Sequence, residues 1–263
     1  MKYVIVVGSG MADTRLVQLA GKTPMEVLAL NSFDRCAGCF CGRVLTIPRG
    51  MEARADVALL SILGYDPKVY FNGASVASKL PAFADTFGLQ GSVIAADARL
   101  RIIAGLMGLK TPEVEGATGT IDTNYEGKVE CALKALQDGD DFVLVHVGAP
   151  ETLAAEGDLG RKMEAVQNVE YRVVMPLLNR LMGKGEDFRL LLVSDFAAFL
   201  TTQKHAAQPM PYAIFDIRVV RKALDDGKEP PVRKFCEDAM LCEPVLMEGT
   251  DLIKVLLEQY MKN

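Results

Sequence analysis

The 263-residue chain is half hydrophobic and carries a formal net charge of −5 from 29 basic and 34 acidic side chains. This length suffices for one large α/β domain. The basic residues are scattered among the acidic ones, so the chain lacks the concentrated positive charge typical of nucleic-acid binding, and we expect no nucleic-acid partner.

The chain opens with an apolar run at Tyr3–Val7, which predicts a buried first strand. This run is too short for a secretory signal, and no apolar stretch reaches the roughly eighteen residues of a membrane span. We therefore expect a cytoplasmic protein that does not enter membranes. The loop after the strand, Gly-Ser-Gly-Met-Ala-Asp, departs from a dinucleotide fingerprint because Asp13 stands where the third glycine belongs. A negative side chain there would repel a pyrophosphate.

Three cysteines lie close together in the next part of the chain: Cys36, Cys39 and Cys41. This spacing could hold a soft metal or form a redox pair. A fourth ligand would have to come from a distant cysteine, because no second Cys-x-x-Cys pair exists. We favour a turn of small residues with buried thiols, since the six cysteines without a secretory signal suit a reducing compartment.

Strand and helix patterns alternate along the rest of the chain. Further strands are predicted at Ser92–Ala96, Phe142–Val147 and Arg189–Val193. Helices are predicted at Thr14–Leu19, Ala55–Leu63, Arg99–Met107, Tyr125–Leu136, Gly160–Met182 and Thr250–Met261. An excursion at Asp225–Glu243 precedes the last helix. The alternation predicts an α/β fold with a doubly wound, mostly parallel sheet, and a ligand site at the carboxyl edge of its strands.

Three segments carry a more specific signal. Residues 10–13 (Gly-Met-Ala-Asp) are followed by Gly-Lys-Thr-Pro at 21–24, residues 56–67 read Asp-Val-Ala-Leu-Leu-Ser-Ile-Leu-Gly-Tyr-Asp-Pro, and residues 116–128 read Gly-Ala-Thr-Gly-Thr-Ile-Asp-Thr-Asn-Tyr-Glu-Gly-Lys. Together these segments resemble the archaeal-type, cofactor-independent phosphoglycerate mutases of the alkaline phosphatase superfamily. The resemblance runs from Met1 to about Phe215.

The resemblance implies a chemistry that needs two divalent metals. One metal activates a serine or threonine alkoxide for in-line attack on phosphorus, and both neutralise charge on the transferred phosphoryl group. Their ligands are carboxylates and neutral imidazoles that converge from several strand ends.

Three of the implied ligand positions are lost in this chain. The first-loop aspartate falls on Ser9, and the histidine of the Asp-x-x-x-His element falls on Ala155. At the next strand end an imidazole is replaced by Phe196. We therefore expect no complete pair of metal sites, and a less polar region around Phe196.

The other implied positions still carry side chains that could bind a metal or attack phosphorus. The resemblance assigns Ser61 as the nucleophile and metal contact, and Asp195 and His205 as metal ligands, while Glu151 could replace an aspartate. Each has a structural alternative: Ser61 as a helix-start residue, Asp195 as a cap, and His205 as a loop histidine. At most one divalent metal (manganese, zinc or magnesium) is expected, without tight binding. Arg101 occupies a position where the family often has lysine, so it could contact a phosphate or a carboxylate or simply be solvated.

The family's cap domain is missing after about residue 70, so residues 1–263 are expected to form one core domain. In the family the cap holds the glycerate while its phosphate moves, and without it water should intercept the intermediate. We therefore expect a phosphoglycerate-mutase-like protein with lost or reduced activity, acting as a binding or regulatory protein. Its partner would be a phosphorylated or carboxylate small molecule, or another protein. The alternatives are a metal-dependent phosphomonoesterase using Ser61, and a mutase completed by another chain.

Overall fold

The computed structural model describes residues 1–241 and 246–258. The strands are β1 (Lys2–Gly8), β2 (Phe40–Leu45), β3 (Gly91–Ile94), β4 (Phe142–Val147), β5 (Phe188–Val193), β6 (Ala197–Phe199), β7 (Lys204–Ala206), β8 (Met210–Asp216) and β9 (Leu246–Glu248). The helices are α1 (Pro24–Val27), α2 (Asn31–Cys39), α3 (Ala55–Ile62), α4 (Pro67–Tyr70), α5 (Phe83–Phe87), α6 (Ala98–Leu106), α7 (Tyr125–Gln137), α8 (Ala149–Glu156), α9 (Leu159–Val169), α10 (Met175–Gly183), α11 (Ile217–Asp225), α12 (Glu237–Leu241) and α13 (Gly249–Leu256).

Seven of the described strands form one sheet in the order β3-β4-β1-β5-β8-β2-β9. Strands β3, β4, β1 and β5 pair in parallel, and β8 runs antiparallel to both of its neighbours. Strands β6 and β7 form a separate hairpin. This topology confirms the predicted mostly parallel α/β sheet, in which the continuous Val, Ile and Leu runs of the central strands are buried on both faces.

The four predicted strands are confirmed, with ends shifted by at most two residues, whereas β2 and β8 were not predicted. In β2, Gly42 and Arg43 interrupt the apolar run. In β8, residues 212–215 (Tyr-Ala-Ile-Phe) do form an apolar run, so this strand had a usable signal. The predicted helix at Thr14–Leu19 is wrong. Only Val17–Leu19 forms a single 3-10 turn, because Leu16 pairs with Lys22 in an isolated bridge that closes the segment into a loop.

The long helix predicted at Gly160–Met182 is present but interrupted. Its two α-helical halves, α9 and α10, are joined by a π-helical segment at Glu170–Val174. Pro176 lacks the N–H that would bond to Arg172, which loosens the helix at this point. The Glu170 carboxylate accepts hydrogen bonds from the backbone N–H groups of Ser32 (2.6 Å) and Phe33 (3.1 Å), so this segment caps the start of α2.

The remaining predicted helices are confirmed within one or two residues, except at the C-terminus. The last helix was predicted to reach Met261; α13 ends at Leu256, and residues 259–263 lie outside the described residues. The excursion predicted at Asp225–Glu243 contains α12, and its last residues, 242 and 243, also lie outside them. Residues 71–82 join α4 to α5 as a short loop closed by a Phe71–Val76 bridge, where the resemblance places the family's cap.

Two further expectations concern the cysteines and membranes. Cys36 is buried in α2, and burial raises the pKa of its thiol well above the usual value, which disfavours the reactive thiolate. Burial also raises the pKa of Cys39. Among the helices of the described residues, none combines the length and apolar character needed to cross a membrane.

Candidate functional site

The candidate site is built where three neighbouring parallel strands end. Ser9 follows β1, Glu151 lies in the first turn of α8 directly after β4, and Asp195 follows β5. Because β4, β1 and β5 are adjacent in the sheet, their carboxyl ends bring these side chains together. Gly10 allows this close approach, since a Cβ atom there would lie 2.7 Å from the Ala198 Cβ and 2.8 Å from the Glu151 Cα.

A single hydroxyl group links the two carboxylates of the site. Ser9 Oγ lies 2.7 Å from Glu151 Oε2 and 2.7 Å from Asp195 Oδ2. A serine hydroxyl has one proton and can donate to only one of these oxygens. Burial, and then the charge of Asp195, raise the pKa of Glu151. The acidic pair therefore favours either an extra proton or a bound cation.

The Asp195 carboxylate is held in a fixed orientation. The backbone N–H groups of Gly10 and Phe196 donate to Oδ1 at 3.0 and 2.8 Å. The hydroxyl of Thr46 donates to the Asp195 carbonyl oxygen. Only Oδ2 is left to face Ser9, so Asp195 is more than a helix or turn cap.

Two histidines complete the group. His205 lies opposite Ala198 in the β6–β7 hairpin, with its Nε2 3.3 Å from Glu151 Oε1 and its Nδ1 3.3 Å from the Ala53 carbonyl oxygen. His146, near the end of β4, places Nε2 3.7 Å from Asp195 Oδ2, and this buried nitrogen has no hydrogen-bond partner. Sequence reasoning did not select His146, although it is one of only two histidines in the chain and stands at a strand end.

A cavity of about 720 Å³ opens onto this group. The lining includes four carboxylates, two guanidinium groups, both histidines and several uncharged residues. The lining residues are Glu52, Ala53, Arg54, Ala55, Ala96, Asp97, Arg99, Gly119, His146, Gly148, Glu151, Thr152, Ala155, Glu156 and His205. Arg54 bonds to Asp56 at 2.6 Å, and Arg99 bonds to Asp97 at 2.7 Å. Because both arginines are already paired, the cavity as a whole favours positive charge.

Ser61 is not brought into this cavity. It lies in the second turn of α3, is 1% exposed, and its Oγ has no hydrogen-bond partner. The start of α13 covers it so closely that a Cβ atom on Gly249 would lie 2.1 Å from Ser61 Oγ. The role of Ser61 as nucleophile and metal contact stays a prediction, and in this structure its oxygen is enclosed rather than facing the cavity. The α3 residue that lines the cavity is Ala55, which has no nucleophilic group.

Replacing Ser61 by alanine should leave the free energy of unfolding unchanged or raise it by up to about 1 kcal/mol, because the change removes a buried hydroxyl without a partner. Urea unfolding monitored by circular dichroism measures this. Ser92→Ala is the matched control and should lower the free energy by about 1–2 kcal/mol, since the buried Ser92 hydroxyl donates to Asp140. Equal losses in the two variants would contradict the assignment.

The other sequence-selected positions divide into two groups. Ala155 lines the cavity, and the buried ring of Phe196 lies 4.6 Å from the His205 ring, so the site has apolar walls at both lost positions. Arg101 does not line the cavity. Its guanidinium lies 3.7 Å from Glu113, and Arg99, two residues earlier on α6, lines the cavity instead. The ligand contact at Arg101 stays a prediction, and the structure places Arg99 rather than Arg101 on the cavity wall.

Two buried lysines hydrogen-bond to segments that carry residues of the site. Lys162 Nζ lies 2.7 Å from Asp13 Oδ2 and donates to the Ala198 carbonyl at 2.6 Å, which ties the first loop to β6. Lys128 Nζ donates to the His146 carbonyl at 3.0 Å. Burial alone lowers the pKa of Lys128 to about 8.

Comparison with known proteins shows where this architecture belongs. A family model described as the metalloenzyme superfamily matches residues 1–244. The chain belongs to the metalloenzyme superfamily. Two archaeal proteins named 2,3-bisphosphoglycerate-independent phosphoglycerate mutase are among its relatives. The Methanothrix thermoacetophila protein is 25% identical over 398 residues, covering 98% of this chain and 100% of the relative. The Methanosarcina mazei protein is 35% identical over 187 residues, covering 71% of this chain and 45% of the relative.

Solved structures show the same fold. A Pyrococcus horikoshii protein superposes with a TM-score of 0.82 at 18% identity, covering 100% of this chain and 97% of the other. The cofactor-independent phosphoglycerate mutase of Thermoplasma acidophilum gives 0.69 at 13% identity, covering 98% and 100%. The alkaline phosphatase of the Antarctic bacterium TAB5 gives 0.55 at 9% identity, covering 100% and 98%. The chain is therefore similar in sequence to phosphoglycerate mutases and shares its fold with an alkaline phosphatase, which confirms the resemblance found in the sequence.

Membership in the metalloenzyme superfamily implies a divalent metal, which would need several carboxylate or imidazole donors converging on one point. Within residues 1–241 and 246–258, no three His, Cys, Asp or Glu side chains already surround one point as a metal requires. The chain instead has two His–carboxylate pairs, with N–O separations of 3.3 and 3.7 Å. In a tetrahedral site with metal–ligand bonds of about 2.0–2.1 Å, two ligand atoms lie about 3.4 Å apart, which is close to these separations. The two carboxylates and two imidazoles, including the His146 Nε2 that has no hydrogen-bond partner, fit one divalent ion if the two atoms of each pair move slightly together. Among these described residues they leave no donors for a second ion.

Proposed function

We propose that this chain is a ligand-binding member of the superfamily that does not transfer phosphoryl groups through a serine. One observation carries the proposal: Ala55 occupies the cavity-facing start of α3, while Ser61 is enclosed beneath α13. Phosphoryl transfer through an enzyme intermediate needs a nucleophile within reach of the phosphorus atom. The other serine of the site, Ser9, is fully buried and bonded to two carboxylates.

The proposed ligand is a small phosphorylated or carboxylate molecule held together with one divalent cation. Because the cavity lining contains more carboxylates than guanidinium groups, a free anion would be repelled unless a cation accompanied it. Manganese, zinc or magnesium would be held by Asp195, Glu151, His146 and His205. When bound, the ion would neutralise and orient the anionic group of the ligand. Arg54 and Arg99 on the cavity wall would contact the outer oxygens of that group.

The activity proposal is tested by phosphorus NMR. The protein is incubated with each isomer of phosphoglycerate and with an aryl phosphate, in turn with manganese, zinc and magnesium. We expect neither interconversion of the isomers nor phosphate release above the rate without protein. Turnover lost in Ser61→Ala would overturn the proposal in favour of a Ser61 phosphomonoesterase. Isomer interconversion would identify a mutase and overturn it equally.

The cation proposal makes a separate prediction about His146. Titration calorimetry with manganese or zinc should show one ion per chain, and His146→Ala should weaken binding by at least about tenfold. Replacing Glu156 by glutamine is the matched control, because this residue lines the cavity outside the donor group, and it should change the affinity little. Two ions per chain, or an unchanged affinity in His146→Ala, would contradict the single-ion site.

A further inference from the structure

A second cavity lies at the opposite edge of the sheet from the candidate site. It encloses about 430 Å³ beside the start of β3 and is lined by Ser92, Lys110, Thr111, Pro112, Cys131, Lys134, Ala135, Asp138 and Asp140. Ser92 is the second residue of β3, and Asp140 precedes β4, so both belong to the amino edge of the parallel strands. Nothing in the proposed function uses this cavity. Its volume falls within the range of small-molecule sites.

One wall of the cavity is a single face of α7. Cys131, Lys134, Ala135 and Asp138 are spaced by three and four residues, so they lie in one stripe along the helix. Burial raises the pKa of Cys131, which keeps its thiol neutral. Together with Pro112, the Cys131 and Ala135 side chains supply an apolar surface for the body of a ligand.

The opposite wall is fixed by the backbone and by a buried carboxylate. Lys110 pairs with Ser92 in a parallel bridge, with the Val93 N–H donating to the Lys110 carbonyl at 2.8 Å. Asp140 is 1% exposed, and its two oxygens accept from the Ser92 hydroxyl and from Lys110 Nζ. Both Asp140 oxygens are therefore used within the protein, so this carboxylate is not offered to a ligand.

Two exposed ammonium groups lie at the mouth of the cavity, and each keeps unused N–H donors. The side chains of Lys110 and Lys134 are 61% and 74% exposed, and each makes one ion pair, with Asp140 and Asp138 respectively. An ammonium group has three N–H donors, so each lysine keeps donors for another partner. Asp138 is the one accessible carboxylate among the lining residues. A ligand at the mouth would thus meet two ammonium groups and a single carboxylate.

We propose that this second cavity binds a small organic carboxylate with an apolar body, such as a benzoate-sized acid. The apolar body would lie on Pro112, Cys131 and Ala135, and the carboxylate would accept hydrogen bonds from Lys110 and Lys134. The two lysines and two aspartates of the lining sum to zero charge, so a carboxylate monoanion is favoured over a phosphate dianion because it adds less uncompensated negative charge. This second cavity is separate from the cavity of the candidate site, so the proposal does not depend on the proposed function.

Fluorine NMR with para-fluorobenzoate on the full chain tests the proposal. We expect a dissociation constant below about 1 mM, with para-fluorobenzamide binding at least about fivefold more weakly because it lacks the charge. Ala135→Trp, which fills the cavity, should abolish binding. Lys134→Met should weaken binding about two- to fivefold, and Lys184→Met, which removes an exposed lysine elsewhere, should leave it unchanged.

A second measurement covers the case in which Ala135→Trp fails to fold. Saturating para-fluorobenzoate should slow alkylation of Cys131 in the unmodified protein, while alkylation of Cys39, which lies outside the cavity, should not change. The proposal is overturned if Cys131 is not protected, if a folded Ala135→Trp retains binding, or if the amide binds as well as the acid. Binding of para-fluorophenyl phosphate more than tenfold tighter than the carboxylate would overturn the choice of ligand class.

Discussion

Replacing Lys162 by methionine is expected to lower the free energy of unfolding by about 3–5 kcal/mol. Both members of the Lys162–Asp13 pair are fully buried, with Nζ 2.7 Å from Oδ2. Without the ammonium group, the buried Asp13 carboxylate loses the cation that balances its charge, and the Ala198 carbonyl loses a hydrogen-bond donor. The first loop, which carries Ser9, should loosen as well. Urea unfolding monitored by circular dichroism measures the loss.

The neighbouring residue offers the matched control. Arg161 pairs with Glu156 at 3.2 Å, but both side chains are about half exposed, and Arg161→Met should cost at most about 1 kcal/mol. The double variant Asp13→Leu with Lys162→Met should be more stable than Lys162→Met alone, because it removes the stranded charge. If Lys162→Met and Arg161→Met cost the same, the buried pair does not stabilise the loop in this way.

Lys128→Met is expected to act in the opposite direction and to raise the free energy of unfolding at pH 7 by about 2 kcal/mol. Lys128 is fully buried and donates one hydrogen bond, to the His146 carbonyl at 3.0 Å. Burial lowers the pKa of Lys128 to about 8 in the folded protein, against about 10.4 in an unfolded chain. Methionine keeps the bulk and removes the cost of burying a charge, which exceeds the value of the lost hydrogen bond.

The sign of the pH dependence follows from the same shift. Below pH 8 Lys128 is charged in both states, so the folded protein carries the full cost of the buried charge. Above about pH 10.4 it is neutral in both states, and the folded protein has regained about 3 kcal/mol. The stability advantage of Lys128→Met should therefore fall across this interval and reverse to a deficit of about 1 kcal/mol, the value of the lost hydrogen bond. Lys134→Met, on the exposed face of α7, should show no such change. A difference that stays constant from pH 7 to about pH 10.4 would contradict a neutralised lysine.

The family resemblance located Glu151 and Asp195 and singled out Ser9 as the position of the first-loop aspartate. The structure places these residues just beyond the ends of β4, β5 and β1, whose apolar runs are typical of buried parallel strands. Strands that are adjacent in a parallel sheet bring their carboxyl ends together, so the grouping followed from the fold class. His205 was found through the family resemblance, since it lies on a short hairpin with no strand signal of its own.

The sequence did not indicate which way the side chains of two helices point. Ser61 and Ala55 lie on the same helix, and which of them faces the cavity depends on α13, a distant segment that covers one face of α3 at Gly249. Arg99 and Arg101 are two residues apart on α6, so they point to different faces, and local sequence does not say which face meets the cleft.

The sequence by itself determined the α/β class and the family resemblance, because these depend on residue types and on short-range periodicity. Only the tertiary structure decided that Ser61 is enclosed and that the His146 nitrogen is left without a hydrogen-bond partner beside Asp195. Burial and orientation come from contacts between segments far apart in the chain, and these contacts have no counterpart in local residue patterns.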